Sequence, residues 1–505
     1  MRLSNAEKMY NADAAAIHVA GIPSHILMQT AAGHVARAAL DAMGRRRSAA
    51  VFCGPGNNGG DGVGAAAILK SRGVSVRCFL VGRRETMTPD TLRMEERLRQ
   101  EGGALEPFDP ADPALPGVLA EAEVIVDAIF GIGLRRPVGG DALQAVRLIN
   151  AAGKTVIAAD ISSGVSADTG AVLGEAVRAD VTVTFSMAKP GHFLEPGCVY
   201  CGEVEVLSIG IPEDILDAAA CGVEAVVPGD VTLPRRSPLT HKGDHGKILI
   251  AGGSVGYTGA PNLCARAAVR AGAGLVFLGV PEKIWPVCAV KNDEAMPFPL
   301  PCDGEGRLTL DALPALRDRW KDCGVLALGP GLGRSGEIRK LTEAVIREYP
   351  GILVLDADAL WAVSEEPEML TRAAGRVVVT PHQGEFRRMG GELTGDRLCD
   401  AGVFARKYGC VTLLKGHRSI VAFPDGRSFI IAAGNAGMAK GGSGDVLTGV
   451  MAALLGQRPL DEAVIAAAWL HAAAGDACAR DKGEYGMTPT DIIEKLPCIM
   501  KEITR

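Results

Sequence analysis

Nowhere does this chain carry an uncharged apolar run approaching the ~20 residues that a bilayer-crossing helix needs. A secretory leader is not expected either, because Glu7, Lys8 and Asp13 interrupt the N-terminal stretch that would have to be apolar. The expectation is a soluble, cytoplasmic protein. Basic surplus is also missing: 53 Lys and Arg face 59 Asp and Glu, a net charge of -6, which argues against a grip on nucleic acid. Thirteen cysteines follow no ligand spacing, and the one CxxC, Cys198 to Cys201, has no second pair to complete a zinc site. Such thiols read as reduced and mostly buried.

What is present is globular: 48% hydrophobic and 22% charged residues. A chain of 505 residues exceeds the roughly 250–300 at which single cores stop growing. Two α/β domains are expected, 1–224 and 225–505, divided near the proline-punctuated segment Val227–Pro238. Aromatics reach only 4%, whereas Gly fills 64 positions, mostly in clusters of the kind that bring bare backbone up to phosphates.

Short apolar runs alternate with Ala-rich amphipathic stretches, the mark of parallel sheets covered by helices on both faces. Strands are predicted at Ala49–Cys53, Val74–Val81, Val124–Ala128, Thr155–Ala159, Val181–Phe185 and Val204–Leu207. The second half repeats the pattern at Ile248–Ala251, Leu275–Leu278, Val325–Leu328, Ile352–Leu355, Val377–Thr380 and Val411–Leu414. Ser4 with Glu7 reads as a capping box opening an N-terminal helix.

Gly54-Pro-Gly-Asn-Asn-Gly-Gly-Asp-Gly62 follows the first predicted strand as a loop, with a helix expected from Val63. It contains G-x-G-x-x-G, but Gly82-Arg-Arg84 stands where a dinucleotide fold keeps its acidic ribose ligand. An ordinary dehydrogenase is therefore disfavoured. Asp127-Ala-Ile-Phe-Gly131 and Asp160-Ile-Ser-Ser-Gly164 end two further strands, so three polar clusters converge on one crevice and could offer oxygens to a hard cation.

These three elements, in this order, resemble the NAD(P)HX epimerase family over residues 1–220. The resemblance implies a Rossmann-like three-layer domain that interconverts the R and S hydrates of the nicotinamide ring at C6. It implies K+ at Asn58, Asp127 and Ser163. It implies substrate contacts at Asn57, Asn58, Gly59, Gly60 and Asp61, at Gly131, Ile132, Gly133, Leu134, Arg135, Arg136 and Pro137, and at Asp160. Asp160 either moves protons or only hydrogen-bonds the substrate. Ser162 departs from the family's commoner proline.

The second half carries Ala251-Gly-Gly-Ser254, Gly329-Pro-Gly-Leu-Gly333, Leu355-Asp-Ala-Asp-Ala-Leu360 and Thr380-Pro-His-Gln-Gly-Glu-Phe386. Most informative is the stretch Gly434–Gly449, in which Gly441-Gly-Ser-Gly444 stands ahead of a helix expected to start at Asp445, an amide nest suited to developing phosphoryl charge. The helix dipole is expected to keep Asp445 ionised as a base. No P-loop order is present.

The set is similar to the ribokinase-like ADP/ATP-dependent NAD(P)HX dehydratases over roughly residues 230–500. That likeness implies substrate contacts at Ala260, Gly331, His382 and Asp445. It places the nucleotide on Lys415, Gly416, His417, Arg418, Ser419 and Gly444, with Mg2+ accompanying ADP. Ala436 and Gln383 stand where proline is commoner. Asp445 and Asp160 are the catalytic candidates, and a homo-oligomer is expected. Two rivals stay open: a ribokinase-like small-molecule kinase, and a non-catalytic binding module.

Overall fold

The computed structural model describes residues 1–505, and the chain divides into two compact units, Arg2–Val223 and Glu224–Arg505 with Met1. In the first unit seven strands form one sheet: β1 Ser48–Cys53, β2 Ser75–Leu80, β3 Leu105–Pro107, β4 Val124–Ala128, β5 Thr155–Ala159, β6 Val181–Phe185 and β7 Glu203–Leu207. Their order is β3-β2-β1-β4-β5-β6-β7, and every pairing is parallel. The central strands β1, β4 and β5 are mostly apolar and buried on both faces, as a helix-covered parallel sheet requires. Strand order reverses between β1 and β4, so the chain leaves these two in opposite directions and a crevice opens beyond their C-terminal ends.

Asn57-Asn-Gly-Gly-Asp61 is not a loop. It forms the first turn of the helix Asn57–Ser71, which begins six residues before the expected Val63. Glycine is a poor helix former, but here closeness of packing wins over propensity. A Cβ on Gly60 would crowd Met28 and Thr91, and one on Gly64 would crowd Ala32 and Met94. The N-terminal capping differs too. Asn5, not Ser4, caps the helix Ala6–His18 by accepting the Lys8 N–H, while the Ser4 hydroxyl donates to the Ala219 carbonyl.

The second unit holds a ten-stranded sheet: β8 Val223–Val226, β9 Lys247–Ala251, β10 Leu275–Pro281, β11 Met296–Leu300, β12 Val325–Leu328, β13 Ile352–Leu355, β14 Val377–Val379, β15 Val411–Leu414, β16 Ile420–Ala422 and β17 Ser428–Ile431. The order is β11-β10-β9-β12-β13-β14-β15-β16-β17-β8. It is parallel from β11 to β15, then turns antiparallel through β16 and β17. Segment Val227–Pro238 is no free linker, because Leu233 is buried and bridges Thr504. The helices Gly259–Arg270, Ser443–Leu455 and Leu460–Gly486 pack into the core of this unit. The middle one is apolar nearly all round, the pattern of a helix enclosed by protein.

Strand β11 forms one rim of this sheet and carries Pro297 and Pro299 opposite Leu278 and Val280 of β10. Both prolines point the same way along the pleat. The Pro297 carbonyl accepts the Trp285 indole N–H at 3.0 Å, so that side faces outward. No helix of either unit is long and apolar enough to cross a membrane.

Candidate active sites

In the first unit a cleft of ≈ 700 Å³ lies at the C-terminal ends of β1, β4 and β5. Its wall includes Asn57, Asn58, Asp61, Gly131, Ile132, Gly133, Leu134, Arg135, Arg136 and Asp160. Of the other residues read from sequence, Gly59 and Gly60 are buried in the helix behind that wall, and Pro137 lies outside it. Asp127 and Ser163 sit fully buried beneath.

Asp160 ends β5 in a left-handed backbone conformation, φ +66°, rare for a residue with a Cβ. Its carboxylate accepts the Lys189 ammonium at 2.6 Å and the Thr184 hydroxyl at 3.2 Å on Oδ1, and the Ile132 N–H at 3.2 Å on Oδ2. Burial alone would raise its pKa, but the Lys189 charge and hydrogen bond outweigh that, so the group lies below the ordinary carboxylate range. His192 braces the turn: its Nδ1 accepts the Lys189 N–H, so its Nε2 carries the hydrogen and donates to the Asp160 carbonyl at 2.9 Å. Burial, helped by Lys189, pulls His192 down to about 4 and keeps the ring neutral. Sequence reasoning missed Lys189. It follows the end of β6, where the strand-end rule alone would have drawn attention to it.

Asp127 accepts the Ser163 hydroxyl at 2.6 Å and the Ser163 N–H at 2.8 Å, while the Ser163 oxygen accepts the Phe130 N–H. Burial raises Asp127 to about 6 against those hydrogen bonds. Above them the Asn58 side-chain amide is buried with neither its oxygen nor its nitrogen bonded to protein. An orphaned buried amide is costly unless a ligand completes it.

The second site gathers at the C-terminal ends of β9, β12, β13, β14 and β15. Lys415 follows β15 and donates to Asp356, which follows β13, at 2.8 Å; Glu385 lies 3.8 Å away. The Thr448 hydroxyl donates to the other Asp356 oxygen at 2.8 Å. Burial opposes the Lys415 charge, but Asp356 and Glu385 together hold it above its ordinary value. A side chain on Gly444 would sit within 3.4 Å of the Lys415 nitrogen, so nest and ion pair adjoin.

Asp445 stands in the first turn of the helix Ser443–Leu455, which starts two residues earlier than expected, after Gly442 at φ +101°. The Ser443 N–H is already taken by the Lys440 carbonyl, which leaves the Gly444 and Asp445 amides for an anion. The helix dipole does not keep Asp445 fully ionised. Burial and then repulsion by Asp356, only partly offset by Lys415, raise it to about 7.

His382 caps a helix: its Nδ1 accepts the Gly384 and Glu385 N–H groups, so Nε2 carries the hydrogen, and Nε2 lies 3.5 Å from a Glu385 carboxylate oxygen. Its backbone bridges Lys415, so these two predicted residues are neighbours. Ala260 and Gly331 also adjoin, the Gly331 backbone at φ +66° being tied to the Ser254 hydroxyl. Gly416, His417, Arg418 and Ser419 form the connection from β15 to β16. Asp356, Glu385 and Thr448 were missed as partners, although all three lie inside motifs that stood out in the sequence.

Family comparisons agree with both halves. Residues 24–191 match the family described as YjeF-related protein N-terminus, and residues 248–498 match the one described as NAD(P)H-hydrate dehydratase. The bifunctional NAD(P)H-hydrate repair enzyme Nnr of Moorella thermoacetica is 39% identical, covering 100% of this chain and 97% of that one. A ribokinase-like superfamily protein of Enterococcus faecalis V583 shares 28% identity over 56% of this chain and 97% of its own, with a TM-score of 0.51. An ADP/ATP-dependent NAD(P)H-hydrate dehydratase of Bacillus subtilis, co-crystallised with ATP and Mg2+, is 28% identical over 56% of this chain and 100% of its own, TM-score 0.47. With a Rossmann-like unit followed by a ribokinase-like one and full-length likeness at this level, the chain belongs to the bifunctional NAD(P)H-hydrate repair enzymes, which join an epimerase domain to an ADP/ATP-dependent dehydratase domain.

Proposed function

We propose that the first unit equilibrates R and S NAD(P)HX through Asp160, and that the second removes water from the S epimer with Asp445 as general base and ADP as phosphoryl donor. The observation that carries this is Asp445 itself. A carboxyl held at about 7, beside an anion-binding helix terminus and the Lys415–Asp356 pair, is poised to take a proton at neutral pH. Hydroxide leaves carbon poorly, whereas phosphate leaves well. Asp445 takes the C6 hydroxyl proton as that oxygen attacks the β-phosphorus of ADP, and AMP departs. The C6–O bond then breaks with loss of a C5 proton, releasing phosphate and restoring the C5–C6 double bond of NAD(P)H. His382 Nε2–H and the Gly444 amide are the donors placed to hold substrate and phosphoryl oxygens.

No group of three or more His, Cys, Asp and Glu side chains is arranged to hold a metal ion. Mg2+ would accordingly enter on the nucleotide phosphates, neutralising their charge. For K+, the unbonded Asn58 oxygen with Asp127 and Ser163 is a fitting set of hard donors, and the ion would fix the loop after β4 against the helix Asn57–Ser71.

The test is to give the intact protein a single hydrate epimer with ADP, ATP or neither, following epimer ratio and NADH absorbance. Epimerisation without nucleotide, and NADH appearing only with nucleotide at a higher kcat/KM for ADP, is the expected result. A phosphorylated product that accumulates without NADH would favour a small-molecule kinase instead.

A further inference from the structure

The family match to the first unit begins at residue 24, which leaves the helix Ala6–His18 without an assigned part in the chemistry. That helix nevertheless forms one side of the cleft, and it brings Asp13 into the same wall as Asp61, Asp160 and Lys189. Its placement is firmly set. Leu3 bridges Ala188, the residue before Lys189; the Ser4 N–H bonds the Ala188 carbonyl at 3.0 Å; and the Ala6 N–H bonds Asp168 at 2.7 Å. The segment that carries Asp13 is thus tied directly to the segment that carries Lys189.

Epimerisation by ring opening needs two proton carriers, and Asp160 is only one. We propose that Asp13 is the other: it protonates the ring nitrogen N1 while Asp160 accepts the proton of the C6 hydroxyl. This rests on the reading of the first unit as the epimerase. As the hydroxyl O–H pair collapses into a C6=O bond, the C6–N1 bond breaks and its electron pair stays on N1, which takes the Asp13 proton. The product is an open amino-aldehyde, with Asp160 protonated and Asp13 ionised. Rotation about C5–C6 turns the other face of the aldehyde to N1, and closure returns both protons to their owners. Nothing is oxidised or reduced.

The electrostatics suit the division. Burial raises Asp13 to about 6, with Asp160 adding to the shift and Lys189 opposing it, whereas Lys189 keeps Asp160 ionised. Two carboxyls pushed apart in this way are an acid and a base. Asp61, in the first turn of the helix Asn57–Ser71, is raised well above its ordinary value by burial and by its two acidic neighbours. Of the other charged and titratable groups, Tyr10, His18, Asp90, Arg135 and Arg136 line the cleft as well, and Glu213 and Asp217 on the helix Glu213–Ala219 are paired with Arg2.

The experiment uses the full-length protein and its variants Asp13→Asn and Asp13→Glu. Interconversion of one purified hydrate epimer is followed without nucleotide, with kcat and KM resolved between about pH 5 and 8. Parent kcat should decline as pH rises through the range in which Asp13 loses its proton. Asp13→Asn should lower kcat by roughly 10²-fold or more with KM within about threefold, abolish that decline, and be partly rescued by Asp13→Glu. Thermal melts of each variant show whether the first unit is folded. A kcat for Asp13→Asn within about threefold of the parent, or a loss confined to KM, overturns the proposal. So does a parent profile flat across that range, which decides the matter even if a variant fails to fold. Should the parent itself leave the epimer unchanged, the epimerase reading fails and takes this one with it, a result distinguishable because no substitution is involved.

Discussion

Replacing Asp445 with Asn should remove the dehydratase activity and at the same time make the second unit more stable. The pKa of about 7 means that the folded protein disfavours the ionised carboxylate by roughly three pKa units relative to the ordinary value of 3.8. At about 1.36 kcal/mol per unit, and allowing for partial solvent access, the cost of charging this group is on the order of 2–4 kcal/mol. The sign follows from proton binding. Below about pH 4 the group is protonated folded and unfolded alike, so it contributes fully. Between about 4 and 7 the unfolded chain gives up the proton and the folded one keeps it, so stability falls as pH rises; above about 7 the loss is complete. An amide never ionises, so the variant should match the parent near pH 4 and exceed it at pH 8, by roughly 2 °C or more in Tm per kcal/mol. Calorimetry without nucleotide at both values measures this. Dehydration of S-NADHX should fall by about 10²–10⁴-fold, the usual worth of a positioned base. Near-normal NADH production would show that another group takes the proton; an unchanged Tm difference between the two pH values would show that the carboxylate is not desolvated.

Lys415→Met leaves Asp356 buried without its counter-ion, and urea titration should show a loss of about 3–5 kcal/mol in the second unit, whereas a loss below about 1 kcal/mol would deny the pair its importance. Lys189→Met removes what holds Asp160 ionised. The first unit should then be markedly less stable at pH 7. Burial, no longer opposed by Lys189, raises the variant's Asp160 above the ordinary Asp range, so the deficit should start to narrow as the pH falls into that higher range and the carboxyl protonates; a deficit independent of pH contradicts the cause given for the depressed pKa. Asp127→Ala should blunt any stimulation of epimerisation by K+, read as rate against added KCl; equal stimulation in parent and variant would place the ion elsewhere.

Strand cores were legible because branched and small apolar residues run unbroken at their centres, and strand ends showed where the polar clusters had to meet. Other elements were hidden for identifiable reasons. Strands β3 and β11 contain proline, which sequence reasoning treats as a breaker and which their place at the sheet edges tolerates. The hairpin β16–β17 could have been found, since Pro424-Asp-Gly426 is a turn signal between two short apolar runs. At the sites, the Asn57–Asp61 and Gly441–Asp445 motifs declared themselves through glycine and polar residues crowded together. Lys189 and Asp13 did not, because an isolated Lys or Asp is ordinary and only the topology shows that each ends in a cleft. The protonation of Asp445 could not be read either: the dipole is implied by its position ahead of a helix, but Asp356 lies 89 residues earlier in the chain and repels it only once β13 and that helix are packed.

The prolines of β11 do more than tolerate an edge. With no N–H at 297 or 299, and with the Pro297 carbonyl already engaged by Trp285, the outward rim of a ten-stranded sheet offers an incoming strand almost nothing to pair with. Long parallel sheets assemble slowly and leave their borders uncovered in the meantime. This border is sterile from the moment it is synthesised, so a chain that carries two large sheets has one fewer surface on which copies of itself can stack.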